Sequence, residues 1–564
     1  MSAAMSSSPA AAAKDNSSRA IHVFLVCLPV LMAICMLPAA ESPFSIPKRA
    51  LLIAASFGVF LIAAAFGRLR RIDWALAAAM AAVPASVLLA WAASPRRDLG
   101  AQSVLMVCAG PLLAWVVASL PRDSRPSLLA AVAWSGVLEA MIAIAQWGLH
   151  FDVFTLIGRS SGASGRMQLY GTMGNPDFLA IYIAITLPAL LTVARRSATW
   201  TRWLAWGGVA LDLAALAGAG SRTGMVAATC GCLMALLCGR GRARLRLMVV
   251  VVAIAAIVAT TLAWRNPREA STAMRGRMFT WQVSLGDAAH RPLGDGPGTF
   301  AYLYPTKLSD FVRAKSNGDW AKFIGYERTA NNDFVQALAE TGWPGLLGLL
   351  AVFGMAFIRL LRGAREGDTW SAAAFGVVGA IFAASLAESP VQRAETWALV
   401  WACVGMATSD STEAQVHARE GFGGLRFAIA AALAVLVVWI AAKPVLATYW
   451  SDAGAGLESE KRYTEAAVAY RKSIGYDPSA SSAAFNLPRA LAHAGDLDAA
   501  ITAANDGLRW IDEPELHLLR LRILETRGDY PAAFQAAVTD VKRFPYSPEL
   551  RDEFLQIASH LHSF

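Results

Sequence analysis

The sequence predicts an all-α membrane protein: a polytopic transmembrane helical bundle of about 12 or 13 spans, followed by an α-helical repeat domain. Of the 564 residues, 56% are apolar and only 16% are charged. The mean hydropathy of +0.44 is far from that of an average soluble domain. Apolar runs long enough to cross a hydrocarbon core of ~30 Å recur as far as Lys443. After Lys443 the composition becomes that of a soluble, helix-rich protein.

Thirteen apolar runs are predicted to span the membrane. They cover residues 21–40, 50–67, 74–93, 101–120, 127–149, 177–194, 203–220, 224–238, 247–264, 343–360, 371–387, 395–408 and 425–443. The eighth and twelfth runs are short, which leaves the count open by one or two. The first run is longer than the apolar region of a usual signal peptide. We therefore interpret it as a retained helix that follows a disordered segment at 1–20.

The basic loops predict the orientation of the bundle. Four of them lie on one side of the predicted topology, at 68–71, 195–202, 239–246 and 359–365. Because short loops rich in Lys and Arg stay in the cytoplasm, the amino terminus is predicted to be cytoplasmic. The long loops 150–176 and 265–342 and the carboxyl-terminal domain are then outside. Topology therefore accounts for the net charge of +9, and no nucleic-acid partner is needed to explain it.

The segment 444–564 contains an internal repeat. The sequences RYTEAA, GDLDAA and GDYPAA begin at positions 462, 495 and 528, at offsets of 33 residues, and Pro478, Pro514 and Pro548 close the three units. This pattern resembles the tetratricopeptide repeat (TPR), whose helix pairs stack into a concave surface that binds partners. It predicts a TPR-like solenoid that binds a protein partner. A generic helical bundle is the alternative.

The two long outer loops carry signals for an anion. In the first, Asn175-Pro176-Asp177 ends the loop and caps the next helix, and Arg166 lies at the membrane surface. In the second, GDGPGTF (294–300) is a turn whose backbone amides could contact an anion. Arginine forks match phosphate oxygens. Basic outer loops are therefore typical of a site for a phosphate or diphosphate carried on a lipid.

The stretch ANNDFVQALAETGWPG (330–345) places polar groups at the edge of a span, where they cost free energy unless they are used. On a helix that starts near residue 331, Asn332, Gln336 and Glu340 share one stripe. One interpretation is a binding site. The other is helix capping by Asn331 or Asn332, with the remaining polar side chains simply near the interface.

Three polar residues lie within predicted spans: Glu139, Gln146 and Asp212. Ionisable groups at this depth are functional candidates, but hydrogen bonds between helices explain many of them. We favour the structural interpretation for these three. Glu388 lies at the outer end of its span and is a better site candidate, because there it can meet the arginines.

Together these motifs resemble the O-antigen ligase and O-antigen polymerase-like superfamily of bacterial membrane glycosyltransferases, over about residues 20–443. RMQLYGTMGNPDFLA resembles the family's arginine plus G-T-x-x-N-P-N-x-x-A element, through Arg166 and Asn175. GSRTG resembles its S-R-[GT] turn, through Arg222. RMFTWQVSLGDAAHRPLGDGPGTF resembles its R-x-x-x-W … P-x-x-G-x-G-P-G-x-F signature, through Arg277 and Trp281. SLAESPVQ, which contains Glu388, resembles a later short outer motif.

The resemblance implies an inner-membrane enzyme. It would move a glycan from undecaprenyl diphosphate to an acceptor hydroxyl on the periplasmic side, with no metal and no cofactor. The acceptor would be lipid A–core, another glycan or a protein. The residues implied to bind substrate are Arg166, Arg222, Arg277, Trp281, Asn175, Gln336 and Glu388. A polysaccharide polymerase, a catalytically inactive scaffold for polysaccharide assembly and a transporter remain as alternatives.

The stretch at 330–345 departs from the family at one position. It resembles the element A-H-N-x-[YF]-[LV]-Q-x-x-x-E-x-G, but Asn331 stands where the family has histidine. Asparagine cannot act as a general base, although Asn331 and Asn332 can still position an acceptor. Three explanations stay open. The base is a nearby carboxylate (Asp333, Glu327 or Glu340), the diphosphate leaves well enough without a strong base, or transfer activity has been lost.

Overall fold

A computed structural model describes residues 9–40, 42–157, 162–238, 267–286, 288–314, 321–325, 327–408 and 423–562. Within these ranges there are twenty α-helices and no β-strand, so the predicted all-α polytopic helical bundle is confirmed. The helices up to the last predicted span are α1 (Pro9–Ile34), α2 (Ser45–Ala65), α3 (Trp74–Ala93), α4 (Arg97–Ala118), α5 (Arg125–Gly148), α6 (Pro176–Arg196), α7 (Thr199–Ala219), α8 (Arg222–Leu237), α9 (Pro267–Leu285), α10 (Phe300–Ala314), α11 (Asp333–Glu366), α12 (Thr369–Ser385), α13 (Ala394–Met406) and α14 (Gly423–Ser459). Six more follow: α15 (Tyr463–Tyr476), α16 (Ser481–His493), α17 (Leu497–Gly507), α18 (Pro514–Thr526), α19 (Tyr530–Arg543) and α20 (Pro548–His562).

Each predicted span within the described residues overlaps a helix, although the helix of the first span ends at Ile34 and not at residue 40. Among those residues, seven helices are long and apolar enough to cross a membrane: α2, α3, α4, α5, α6, α11 and α14. The apolar parts of α1, α8, α12 and α13 are shorter. The ninth predicted span, 247–264, and the basic loop before it lie outside the described residues.

The amino terminus differs from the prediction. Helix α1 begins at Pro9, so residues 9–20 are helical, although the sequence predicted disorder for 1–20. The run of four alanines at positions 10–13 explains the difference, because alanine has the highest intrinsic helix propensity.

The membrane helices differ widely in burial. In α6, 89% of the residues in its most apolar segment are buried inside the protein, and this helix packs against α5, α7, α8 and α12. In α14 only 6% of the residues in the corresponding segment are buried. Helix α14 packs mainly on α2 and, at its carboxyl end, on α15. Helix α6 is therefore a central element of the bundle, whereas α14 lies at its periphery.

The helices after α14 follow the predicted repeat. The three repeat sequences lie at the starts of α15, α17 and α19, and each helix from α15 to α20 packs against the next. Ala466, Ala500 and Ala533, one from each unit, are completely buried, as expected for tight contacts between paired helices. The assignment to the TPR family stays a prediction. Helix α14 continues past Lys443 to Ser459, so the change in composition falls inside one helix.

This last group of helices contacts the long loop 265–342. Thr306 Oγ1 on α10 donates to Asp512 Oδ2 at 3.0 Å, and Arg543 pairs with the same carboxylate at 2.6 Å. Tyr546 packs against the apolar cluster that contains Phe300 and other residues of the loop. The carboxyl-terminal helices therefore rest on the segment that leads into α11.

Candidate functional site

The candidate site lies at one end of the bundle, where the amino ends of α6, α8, α11 and α13 meet the carboxyl end of α12. Asn332 Nδ2 donates to the Leu386 carbonyl at 2.9 Å, and the Val391 N–H donates to Asp333 Oδ2 at 3.0 Å. These bonds tie the start of α11 to the end of α12 and to the turn before α13. Helix amino ends carry a partial positive charge, so their convergence favours an anion.

Arg166 lies in the loop before α6 and contacts both the start of α6 and the end of α7. Its Nε donates to the Ala219 carbonyl, and its Nη2 pairs with Asp177 Oδ1 at 2.7 Å. Asn175 caps α6, because its Oδ1 accepts the Asp177 N–H at 2.8 Å. Arg222 is the first residue of α8, three positions after Ala219, and its buried Nε has no hydrogen-bond partner among the described residues. The structure thus brings Arg166 and Arg222 to the same turn.

Arg277 on α9 forms an ion pair with Glu388. The Arg277 side chain is 27% exposed and that of Glu388 is 11% exposed. Burial raises the pKa of Glu388 above its ordinary value, Arg277 opposes this rise, and the Asp177 carboxylate adds to it. Phe178, the residue after Asp177, lines the same small cavity as Glu388, so the pairs Arg166–Asp177 and Arg277–Glu388 lie near each other. We call these four residues the paired-arginine cluster.

Three further predicted residues adjoin Arg277. Asn331 Nδ2 donates to Glu327 Oε2 at 3.4 Å, and Trp281 Nε1 donates to the Ala330 carbonyl at 2.8 Å. Asn331 has a φ of +51°, in the left-handed region that asparagine adopts more readily than most residues. Burial raises the pKa of Glu327, while the hydrogen bond from Asn331 and the charge of Arg277 lower it. The Arg277 guanidinium group thus pairs with Glu388 and also acts electrostatically on Glu327.

The predicted polar stripe of α11 points into the protein. Asn332 Oδ1 caps the helix by accepting two backbone N–H groups of its first turn, at 2.9 and 3.0 Å. Gln336 Oε1 accepts the Ala330 N–H at 2.7 Å, and Glu340 Oε1 accepts the Phe300 N–H at 3.1 Å. All three side chains are almost completely buried. These bonds give Asn332 the capping role that the sequence left open, and give Gln336 and Glu340 a role in holding adjacent segments.

The turn at 294–298 is structural, which corrects its interpretation as an anion site. The N–H groups of Asp295 and Gly296 donate to the Ala339 and Glu340 carbonyls at 2.9 and 2.8 Å. Those carbonyls need outside donors because Gly342, with a φ of +63°, interrupts α11. The amides of this turn therefore hold the kink of α11.

A similar device holds the loop before α6. Glu139 accepts the Thr172 N–H at 2.9 Å and its hydroxyl at 2.7 Å. Gln146 exchanges two hydrogen bonds with the backbone of Gly171, at 2.7 and 3.0 Å. Lys48 Nζ donates to the Thr172 carbonyl at 2.9 Å. Glu139 and Gln146 thus have the structural role that the sequence favoured, but they bind a loop and not another helix.

The part of the chain that carries Arg222, Arg277, Trp281, Glu327 and Asn331 can be compared with known families. Residues 207–350 match the family described as O-antigen ligase. This match covers less than half of the chain, and it supports the resemblance of that region to the O-antigen ligase superfamily of membrane glycosyltransferases. No curated protein matches the chain. Within the described residues, no group of three or more His, Cys, Asp or Glu side chains is arranged to hold a metal ion.

Two charged residues outside the O-antigen ligase match were not identified as site residues by the sequence analysis. Asp177 was predicted only as part of a helix start, yet it pairs with Arg166. Arg393 immediately follows SLAESPVQ; its guanidinium lies 3.3 Å from the centre of the Phe178 ring and 3.2 Å from Glu395 Oε1. The sequence signal for Arg393 was its position in an outer turn beside a motif that already contained a candidate carboxylate.

Proposed function

We propose that the protein transfers a glycan from undecaprenyl diphosphate to an acceptor hydroxyl, on the periplasmic side of the bacterial inner membrane. The observation that carries this proposal is the paired-arginine cluster, in which Arg166–Asp177 and Arg277–Glu388 lie near each other at converging helix amino ends. Arg277 lies inside the O-antigen ligase match. Guanidinium forks bind phosphate oxygens with two parallel hydrogen bonds, so this cluster suits a diphosphate.

In this proposal three arginines hold the leaving group. Arg166 and Arg277 bind the diphosphate oxygens, and the buried Nε of Arg222 supplies a donor from the start of α8. Negative charge grows on the diphosphate as the bond to the sugar breaks. Fixed cations and helix amino ends stabilise that charge most strongly in the transition state.

Glu327 is the proposed proton acceptor. The acceptor hydroxyl oxygen attacks the anomeric carbon, and the bond from that carbon to the phosphate oxygen breaks, leaving its electron pair on the diphosphate. The hydroxyl proton passes to Glu327. This carboxylate is only partly buried, and burial raises its pKa towards the range that suits a general base. Asn331 donates to Glu327 at 3.4 Å and thus orients the base from the position where the family has histidine.

In this proposal, the other predicted residues hold Glu327, Asn331 and the arginines in position. Trp281 and Gln336 bind the carbonyl and the N–H of Ala330, and so fix the residue before Asn331. Asn332 caps α11 and Asn175 caps α6. Asp333 anchors the turn before α13 through the Val391 N–H, and Glu340 holds the start of α10. We assign these residues to support and not to the chemical step.

The acceptor is defined here only as a hydroxyl compound: lipid A–core, a growing glycan or a protein side chain. The TPR-like helices α15–α20 are proposed to bind a protein at the same membrane surface, because they rest against α10. A polymerase would use the same paired-arginine cluster with a second lipid-linked glycan as acceptor.

Purified full-length protein, given undecaprenyl-diphosphate-linked glycan and a panel of acceptors, tests the proposal when the products are weighed by mass spectrometry. We expect one acceptor to gain the glycan. Arg277→Ala should lose about 10²–10³ in rate. Arg275→Ala is the matched control, because Arg275 is exposed on the same helix. An inactive scaffold would give no transfer, and full rescue of polysaccharide assembly in cells by Arg277→Ala would contradict the enzyme.

A further inference from the structure

The paired-arginine cluster is already neutralised by its own carboxylates. Arg277 is bound to Glu388, and Arg166 is bound to Asp177. An incoming diphosphate would have to compete with these carboxylates for the guanidinium groups. The two differ in their surroundings, since the Glu388 side chain is 11% exposed and that of Asp177 is 38% exposed.

We propose that Glu388 is a placeholder for phosphate: it holds Arg277 in the empty site, and on binding of a diphosphate it releases Arg277 and turns to Arg393. The inference rests on the proposed function, because it assumes that Arg277 binds the diphosphate. The exchange would make the site selective among anions. Only an anion that binds the Arg277 guanidinium better than a carboxylate does can separate Arg277 from Glu388.

The position of Arg393 supports this exchange. Glu388 is paired with Arg277, and it lines the same small cavity as Arg393, on which it also acts electrostatically. Arg393 is held in place by the Phe178 ring and by Glu395. A carboxylate that leaves Arg277 therefore remains beside a fixed cation. A buried carboxylate left without any partner would oppose binding strongly.

A phosphate group can displace the carboxylate because it carries more charge and more acceptor oxygens. Two phosphates can also bind Arg277 and Arg166 at once, which a single glutamate cannot do. Inorganic phosphate lacks this bridging geometry. It should therefore open the Arg277–Glu388 pair much less readily than pyrophosphate.

The exchange predicts that binding takes up a proton. The charged groups that face Glu388 are Arg277 on α9, Asp177 on α6, Asp333 on α11, Glu327 in the loop and Arg393 before α13. Burial already raises the pKa of Glu388, and Arg277 holds that rise back. When phosphate takes Arg277 away, Glu388 keeps only Arg393, which is already paired with Glu395. The pKa of Glu388 therefore rises further, and Glu388 takes up part of a proton. Pyrophosphate should therefore bind more tightly as the pH falls through the range just above that pKa.

Pyrophosphate binding to the purified full-length protein tests the placeholder directly. We expect Glu388→Gln to lower the Kd about tenfold, equivalent to about 1.4 kcal/mol, because the competing charge is gone. Asp177→Asn should change the Kd less, since its carboxylate is more exposed. The titration of pyrophosphate itself is common to all variants. The extra pH dependence of the wild type over Glu388→Gln therefore measures the proton on Glu388.

An unchanged or higher Kd for Glu388→Gln, in protein with the wild-type melting temperature, would overturn the proposal. If Glu388→Gln folds poorly, proton uptake by the wild type on binding pyrophosphate still tests the proposal, and no uptake beyond that of pyrophosphate itself would overturn it. Arg393→Gln should weaken pyrophosphate binding in the wild-type background but not in the Glu388→Gln background; equal weakening in both would show that Arg393 binds the anion itself. These results are independent of glycan transfer, so the placeholder and the proposed function can fail separately.

Discussion

Two regions of the molecule use glutamates in different ways. At the loops that support the site, Glu139 and Glu340 are buried and accept backbone N–H groups, from Thr172 and Phe300. At the open end of the site, Arg277 pairs with Glu388 and also acts electrostatically on Glu327. A carboxylate whose lone pairs are filled by backbone amides holds a loop in place. A carboxylate that faces an arginine can exchange that partner for a ligand or a proton.

Among the substitutions that distinguish the two regions, we expect the largest effect on the transfer rate from a change at Glu327. Glu327→Gln should lower the transfer rate by about 10²–10⁴ and leave the melting temperature unchanged, because the amide still accepts from Asn331 but cannot take a proton. Asp310→Asn is the matched control: Asp310 lies in the same long loop and its side chain is 68% exposed. Equal rates for the two variants would remove Glu327 from the mechanism.

The pH dependence of activity tests the role of Glu327 further. A general base works only when deprotonated, so wild-type activity is present above the pKa of Glu327 and is lost as the pH falls through it. Burial raises that pKa, so the loss should lie above the ordinary range of glutamate, about 4.3. Glu327→Gln should lack this acid limb in a plot of log kcat/KM against pH. An identical acid limb in both proteins would assign it to another group.

Glu340→Ala should lower the stability of the protein and leave the activity of the folded molecules nearly unchanged. It leaves the buried N–H of Phe300 without its acceptor, which costs about 1–3 kcal/mol of unfolding free energy. Thermal unfolding in detergent measures this loss. The folded fraction should keep a rate per molecule close to that of the wild type. Normal stability with lost transfer would place Glu340 in the chemistry instead.

The smallest effect is expected from Asn331→His, which installs the family residue. If Glu327 is the base, the histidine adds little and the rate should change by less than about tenfold. The rates of both proteins on the same acceptor give the answer. A hundredfold gain in rate would mean that the protein lacks an effective general base because Asn331 replaces histidine.

The sequence predicted the framework of the site better than its contacts. Apolar runs located the membrane helices, and the motif arginines Arg166, Arg222 and Arg277 lie at the same end of the bundle. The spacing of Asn332, Gln336 and Glu340 placed them on one stripe of α11, but spacing cannot tell whether a stripe faces a ligand or a neighbouring backbone.

The kink at Gly342 decides that question, because it frees carbonyls that the turn at 294–298 must satisfy. Such a pairing joins segments more than forty residues apart and leaves no local signal. The glycines at 294–298 indicated close packing, against Glu340, Ser94 and Ser103. They were not signals of an anion site.

The central claim is that Arg166 and Arg277 hold one diphosphate between them. The most direct test is the affinity of purified protein for undecaprenyl diphosphate, measured for the wild type, Arg166→Ala, Arg277→Ala, the double variant and the Arg275→Ala control. We predict that each single variant loses at least about tenfold, that the two losses do not add in the double variant because both residues bind one ligand, and that the control binds normally. Strictly additive losses, or a loss in the control equal to that of Arg277→Ala, would contradict the account.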